Sequence, residues 1–446
     1  MGDTNGPAAE PAGALAPTAG SDRKASLDTL RGVALLGILL MNITAMGLPM
    51  SYGNPTIAGG ADGPNIIAWI TTNMFFEGTM RGLFSLMFGA GIILMTSRAE
   101  ARGGGIQVAD IYYRRNLWLI AFGLVHGWLI LWFGDILYTY GICALFLFAF
   151  RNLKPRTLII LGALVLLSLV PKDIYHYVNT HTAYEEAQAA ELVQEGLGEG
   201  EELDEESQEA LDAWKGIKGE FKPSEGVLEE RVVGMHGNYF EIIGTISGAV
   251  MWFQSSGLYE LFFFDAAGMM LIGMAFLKLG IITGERSNRF YSWMMIGGYA
   301  IGLGINTYET RLLLEGDFDI FPQVQANLTY QFGRIGVTLG HIGFWMLMCK
   351  SNWFNWLTSR LAAVGRMALT NYIMHSVFAA IIFTGIGFSL FGELQRYQLY
   401  YVVVGIWLFQ LIVSPIWMKH FRFGPLEWIW RSLTYNQKQP MRREVA

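Results

Sequence analysis

The sequence predicts an all-α polytopic membrane protein, with about ten transmembrane helices, additional interfacial or re-entrant helices and one long acidic outer loop. Three observations carry that prediction. Of 446 residues, 52% are hydrophobic and 14% aromatic, while only 15% are charged, against roughly 25% in soluble domains. Apolar runs of spanning length recur along most of the chain. Lys and Arg gather in alternate connections between those runs, which is the pattern of loops on the cytoplasmic side.

The elements follow in order. Residues 1–25 are rich in Gly, Ala and Pro and lack both the basic start and the apolar stretch of a signal peptide, so they read as a disordered cytoplasmic tail. An N-terminal membrane half, 26–174, holds five spans at 28–48, 79–97, 115–133, 135–151 and 156–174. Residues 175–257 form an acidic outer-side loop and amphipathic segment. A C-terminal membrane half, 258–436, holds five more spans at 258–279, 289–306, 328–349, 367–390 and 398–418, and 437–446 is a second cytoplasmic tail. Two shorter apolar stretches, 64–76 and 232–254, read as re-entrant or interfacial helices on the outer side. Counting 232–254 as a span would place Lys278, Arg286 and Arg289 outside, so it is not counted.

Charge tests this order. Arg23, Lys24 and Arg31; Arg98, Arg102, Arg114 and Arg115; Arg151, Lys154 and Arg156; Lys278, Arg286 and Arg289; Lys350 and Arg360; and Lys419, Arg422, Arg431, Arg442 and Arg443 all fall on one side if both termini are cytoplasmic. The opposite connections are poor in basic residues and carry Asp62, Glu309, Glu315, Asp317 and Asp319. The run from Glu185 to Asp212 holds twelve acids and no Lys or Arg, which reads as a solvated face. Cys143 and Cys349 sit in apolar runs, so neither a disulfide framework nor a metal site is expected. Gly298–Gly302 and Gly336–Gly340 have the four-residue spacing of close helix packing.

Polar residues inside the apolar runs are the candidates for function, because charge in a bilayer is costly unless it faces a protein interior, a cavity or a ligand. At about 100° per residue, Asp28, Arg31 and Asn42 share one stripe of the first helix. Glu77 and Arg81 are four apart and can pair on one face of the second. Arg115 and His126 share a stripe of the third, and Asp135 follows at the outer hairpin, where it can orient the imidazole and raise its basicity. Arg334 and His341 share a face of the eighth run, as Asn371 and His375 share one of the ninth. Together they are expected to converge on a shared polar cavity.

Several stretches resemble the YeiB-like bacterial membrane proteins. They are Leu27-Asp28-Thr29-Leu30-Arg31-Gly32 through Met41-Asn42, Leu83-Phe84-Ser85-Leu86-Met87-Phe88-Gly89-Ala90-Gly91, and Gly134-Asp135-Ile136-Leu137. Gly365-Arg366-Met367-Ala368-Leu369-Thr370-Asn371-Tyr372 and Phe421-Arg422-Phe423-Gly424-Pro425-Leu426-Glu427-Trp428-Ile429-Trp430-Arg431-Ser432-Leu433-Thr434 resemble that family's C-terminal region, domain of unknown function 418. The resemblance spans residues 24–436. More distantly, the first helix is similar to those of the acyltransferase-3 proteins and of heparan-α-glucosaminide N-acetyltransferase. The acyltransferase-3 pattern has Arg and, eleven residues on, His; here Asn42 takes the second position. The lysosomal enzyme also has Asn there and carries its His in the following loop, whereas residues 43–76 contain none.

The resemblance implies a bacterial, multi-pass protein of the cell inner membrane that takes an acyl group from a cytoplasmic acyl-CoA, acetyl-CoA among the donors, to an acceptor hydroxyl or amine of the envelope. Phosphates of that donor need cations, for which Arg31, Arg114, Arg115 and Arg366 are candidates. His126, oriented by Asp135, is the candidate base, with His375 second; Asn42 and Asn371 would position the carbonyl. Asp28, Glu77, Arg81, Arg334 and His341 complete the expected polar cavity. Partners are the lipid bilayer, the acyl-CoA and the acceptor. No nucleic acid is expected, and a homo-oligomer stays open. A small-molecule transporter and a non-catalytic scaffold or sensor are the alternatives.

Overall fold

The computed structural model describes residues 25–101, 103–198 and 201–443. Most of the tail expected over residues 1–25, with Arg23 and Lys24, lies outside them, as does Arg102. The described residues are helical apart from turns and one isolated bridge between Phe421 and Arg442. In chain order the helices are α1 (Ala25–Gly47), α2 (Gly63–Phe75), α3 (Thr79–Ala101), α4 (Gln107–Trp128), α5 (Leu137–Leu147), α6 (Pro155–Leu167), α7 (Val170–Gly196), α8 (Glu205–Phe221) and α9 (Glu225–His236). They continue as α10 (Tyr239–Gln254), α11 (Phe263–Lys278), α12 (Asn288–Glu315), α13 (Ile320–Lys350), α14 (Asn355–Arg366), α15 (Ala368–Phe383), α16 (Arg396–His420) and α17 (Pro425–Tyr435). Local signals start many of them: proline in the first turn of α2, α6, α7 and α17, side-chain caps at Asp204, Ser287 and Asp319, and a capping box between Asn238 and Glu241.

α1 runs through the middle of the molecule. Of its most apolar window, 83% is buried in protein, against 28% for α16 and 22% for the α6–α7 stretch. The outer helices instead present Ile160 and Leu164, or Val404, Leu408 and Ile412, outward, as lipid-facing helices do. α14 lies against the start of α1 with backbones nearly touching: a Cβ on Gly32 would strike the Leu361 carbonyl, and one on Gly365 the Asp28 carbonyl. The two glycine pairs singled out by spacing also meet, Gly298 against Gly340 and Gly302 against Gly336 and Val337, zipping α12 to α13.

The basic loops gather at one end. There Arg151 pairs with Glu100 at 3.0 Å, Lys278 donates to the Arg151 and Leu153 carbonyls, and Lys350 donates to those of Gly284 and Arg286. The first turns of α1 join them through Ser26 on the Ile282 carbonyl and Thr29 on that of Thr358. The connections at the opposite end tie together as well, with Arg396 on the Ser51 carbonyl and His236 on that of Phe391.

The number of spans differs from expectation. Among the described residues, six helical stretches are long and apolar enough to cross a bilayer, or seven if the bent pair α14–α15 is one span, against the ten expected. The expected spans at 115–133 and 289–306 lie on α4 and α12, which fall outside that group. The one at 135–151 is α5 with a short 3-10 turn, about 20 Å of rise. The stretch 64–76 falls on α2, which continues through a break at Gly78 into α3. The stretch 232–254 divides between the end of α9 and α10. Although not counted as spanning, α10 leads through a π-helical turn at Leu258–Phe262 into α11 as one candidate span. The acidic run is a helical hairpin, not a loop: α7 and α8 pack Ala183, Ala187 and Trp214 around Phe321 at the start of α13. Every acid described in that run points to solvent, in keeping with a solvated face.

Candidate functional site

Two cavities open toward opposite ends of the same helices. The first, about 230 Å³, is lined by the early turns of α1 and α4 and the later turns of α3; the second, about 670 Å³, is lined by the last turns of α1 and the start of α3. Tyr140 of α5 faces both, and its hydroxyl lies 2.6 Å from that of Ser85.

The first cavity sits at the basic end and is dominated by guanidinium groups. Arg31, Arg98, Arg115, Arg366 and Arg431 line it, against the carboxylates of Asp28 and Glu427. Arg31 holds Asp28 at 3.0 Å. Arg115 stacks on Trp430 at 3.6 Å from the ring centre, and the Trp430 indole N–H donates to the Arg115 carbonyl, so α17 fixes this guanidinium from below. α15 begins at the same place, directly after an 82° turn from α14. Glu427 caps it, accepting from the Leu369 and Thr370 backbone N–H groups and the Thr370 hydroxyl at 2.6, 3.1 and 2.6 Å. Away from the arginines the walls turn apolar and aromatic, with Phe84, Met87, Leu119 and Tyr372.

The second cavity is larger, and an ion cluster closes part of its wall. Asp265 of α11 accepts from Arg81 at 2.8 Å and also from Arg334, which Gln331 holds from its other side. Glu77 accepts a long bond from Tyr52 at 3.5 Å. Asn42, Glu77, Arg81 and Asp135 all line this cavity, with Trp69, Trp132 and Tyr330.

Between the two lies a buried hydrogen-bonded chain. His126 is fully buried; its Nδ1 is 2.7 Å from Asp135 Oδ1, and its Nε2 is 2.8 Å from Ser376 Oγ. The Tyr138 backbone N–H donates to Asp135 Oδ2 at 2.8 Å, and the Tyr372 ring meets the imidazole edge-on at 5.0 Å. A carboxylate accepts only, so in the neutral imidazole Nδ1 carries the proton and Nε2 accepts from the serine hydroxyl.

The expected residues are thus brought together in part. The described residues divide between two cavities: Asp28, Arg31, Arg115 and Arg366 face the basic cavity, and Asn42, Glu77, Arg81 and Asp135 the other. Arg81 turns to Asp265 rather than pairing with Glu77. Arg114 pairs with Asp110 on the helix exterior and lines neither cavity, because its place on α4 turns it away from Arg115. His126 sits in the partition, and its Nδ1 side reaches the larger cavity through Asp135. His375 and Asn371 lie between α15 and α16, where His375 meets Gln410 at 3.1 Å and Asn371 donates to Ser414 and the Val364 carbonyl. His341 is held between Tyr299 and the Phe75 carbonyl, both at 2.8 Å. These three join helices rather than line a cavity. Asp265 and Ser376 were not foreseen. Asp265 carries a visible signal, a lone acid inside an apolar run; Ser376 carries none.

A family model described as "Protein of unknown function (DUF418)" matches residues 276–437. The uncharacterized protein YeiB of Escherichia coli is 30% identical over 425 residues, covering 94% of this chain and 98% of that one. The uncharacterized protein YxaH of Bacillus subtilis is 27% identical, covering 97% and 99%. An uncharacterized 39.9 kDa protein from the amylase 3′ region of Bacillus acidopullulyticus is 26% identical, covering 95% and 97%. No solved structure matches significantly.

Proposed function

This chain belongs to the YeiB-like family of DUF418 proteins, and on that footing we propose that it is a membrane acyltransferase. It takes an acyl group from an acyl-CoA, acetyl-CoA among the donors, held at the basic end. It delivers that group to a hydroxyl or amine acceptor at the opposite end. In this reading the basic end is cytoplasmic, both termini are on that side, and the membrane is the cell inner membrane. The observation that supports it most is the pair of cavities at opposite ends of one helix set, with the His126–Asp135 couple in the partition between them.

The chemistry follows from the linings. Donor phosphates meet Arg31, Arg115 and Arg366, with Arg98 and Arg431 beside them; charge-assisted bonds from guanidinium to phosphate are strong and directional. A cavity of about 230 Å³ takes the thioester arm among Phe84, Met87 and Tyr372 and leaves the nucleotide at the mouth. The acceptor occupies the larger cavity, where Asn42 is placed to hold its polar groups. The base is the His126–Asp135 couple: Asp135 fixes the tautomer and stabilises the imidazolium that forms when Nε2 takes a proton.

The test is titration calorimetry of the full chain in lipid nanodiscs with CoA. Binding is expected, with Arg31→Ala weakening it about tenfold, the loss of one charge-assisted contact; absence of any CoA binding would sink the proposal. One observation favours a second reading, transport: cavities open to opposite ends beside a helix bent by 82°, as in the broken helices of transporters. Solute accumulation in proteoliposomes without consumption of acyl-CoA would decide for it.

A further inference from the structure

The hydrogen-bonded chain in the partition holds one group that acyl transfer as stated above does not use. The geometry points to Ser376 as a nucleophile that carries the acyl group between the two cavities as a covalent ester. This rests on the acyl-transfer reading and gives it a route: the acyl group crosses the partition on the protein, while CoA stays at the basic end.

Four observations carry it. First, Asp135, His126 and Ser376 are linked in the order carboxylate, imidazole, hydroxyl at 2.7 and 2.8 Å, with the tautomer set so that Nε2 can accept the hydroxyl proton. Second, serine and threonine on these helices ordinarily bond back to the carbonyl four residues earlier, as Ser85, Thr96, Thr338 and Thr384 do on Arg81, Ile92, Arg334 and Ala380. The bond of Ser376 goes to His126 instead, out of its own helix. Third, the chain is buried, with His126, Ser376 and Asp135 at 0%, 3% and 6% exposure. Replacing such a polar set by apolar side chains is generally neutral or stabilising, so helix packing alone does not call for it.

The fourth observation is position. Tyr372, one turn earlier on α15, lines the basic cavity, which puts Ser376 about 6 Å further along the helix. Ser376 itself lines a small void of about 20 Å³ walled by Ala45, Trp132 and Phe133, and the same three residues wall the larger cavity. The serine is therefore next to both compartments.

The steps balance. Ser376 Oγ attacks the thioester carbonyl as its proton passes to His126 Nε2. The C–S bond then breaks, and the thiolate leaves as CoA thiol with that proton. The acceptor O–H or N–H next attacks the Ser376 ester, giving its proton to Nε2. The C–Oγ bond breaks, and Ser376 recovers the proton. No oxidant, reductant or metal takes part.

The experiment uses the full chain in nanodiscs, mixed with acetyl-CoA or palmitoyl-CoA without acceptor and quenched in acid. A stoichiometric burst of CoA thiol is expected, with one acyl adduct by intact mass, mapped to Ser376. Ser376→Ala removes burst and adduct while still binding CoA by calorimetry. Ser376→Cys moves the acyl group to a thioester that neutral hydroxylamine cleaves. His126→Gln slows the burst by about 10²–10⁴-fold, the range for loss of a general base. CoA bound and acyl group transferred to an acceptor with no adduct on the chain, or an adduct that survives Ser376→Ala, overturns the covalent route and leaves acyl transfer standing. Absence of CoA binding to the unaltered chain overturns both.

Discussion

The two cavities are built from the same helices, yet they treat charge in opposite ways. At the larger one, the lining Arg81 and, behind it, Arg334 close on a single carboxylate, Asp265, which is 2% exposed at its side chain. In the basic one, five arginines share space with two carboxylates, and Arg115 is held by an aromatic face rather than by an acid. A guanidinium stacked on a ring keeps its hydrogen-bonding edge for something else. A closed ion cluster in a low-dielectric interior is costly to break, whereas an excess of one sign at a mouth is a site for the other sign. The comparison separates residues whose loss should unfold the protein from residues whose loss should empty it.

The sharpest way to break that distinction is at Asp265. Asp265→Asn leaves the buried Arg334 and the partly buried Arg81 without the carboxylate they share, and it should cost about 3–5 kcal/mol. Nanodisc melting curves and the yield of monodisperse protein would report it. Arg334→Met in the same chain should recover part of the loss, since one uncompensated charge is removed. If Asp265→Asn melts with the parent, the cluster is not a fastening.

A middle-sized effect is expected at Arg115. Arg115→Gln should weaken CoA binding roughly tenfold and lower stability by only about 0.5–2 kcal/mol, the value of its stacking on Trp430. Affinity should also fall as salt rises, because the basic mouth is open to ions, while melting of the parent chain should respond less, because Arg334 and Asp265 are only 3% and 2% exposed at their side chains. CoA affinity indifferent to salt would remove the contrast between the cavities.

How much of this the sequence disclosed depends on what each feature rests on. Asp28, Arg31, Glu77, Arg81 and Asp135 stood out because single charges in apolar runs are conspicuous, and each does face a cavity. Their partners were not legible. Arg81 and Asp265 are 184 positions apart and Arg334 and Asp265 are 69 apart, distances that periodicity does not bridge. Asp265 itself, behind three phenylalanines, was as visible as the others, and only its pairing was hidden. His126 with Asp135 was readable because nine residues and one turn separate them. Ser376 was not, since serine is unremarkable on a membrane helix until its bond is seen to leave that helix. Element boundaries depart from the apolar pattern where local sequence is silent. The 82° turn after Arg366 has no proline to announce it, and α5 stops after eleven residues although its run stays apolar.

The smallest expected effect concerns the acid that tempers the basic cavity. Glu427, on α17 at the basic end, is buried, and burial pushes its carboxyl above the ordinary glutamate range, against the pull of its bonds from Leu369 and Thr370. The folded state therefore holds this proton more tightly than the unfolded chain does. Its contribution to stability is fully present below the ordinary glutamate range and is lost as pH rises through the raised value. Glu427→Gln has no proton to lose there, while its amide oxygen still accepts from the first turn of α15. Melting measured from acid to neutral pH should thus decline less steeply for Glu427→Gln than for the parent. Parallel curves would mean that this carboxyl titrates as an exposed one does and that burial under α17 does not govern its proton.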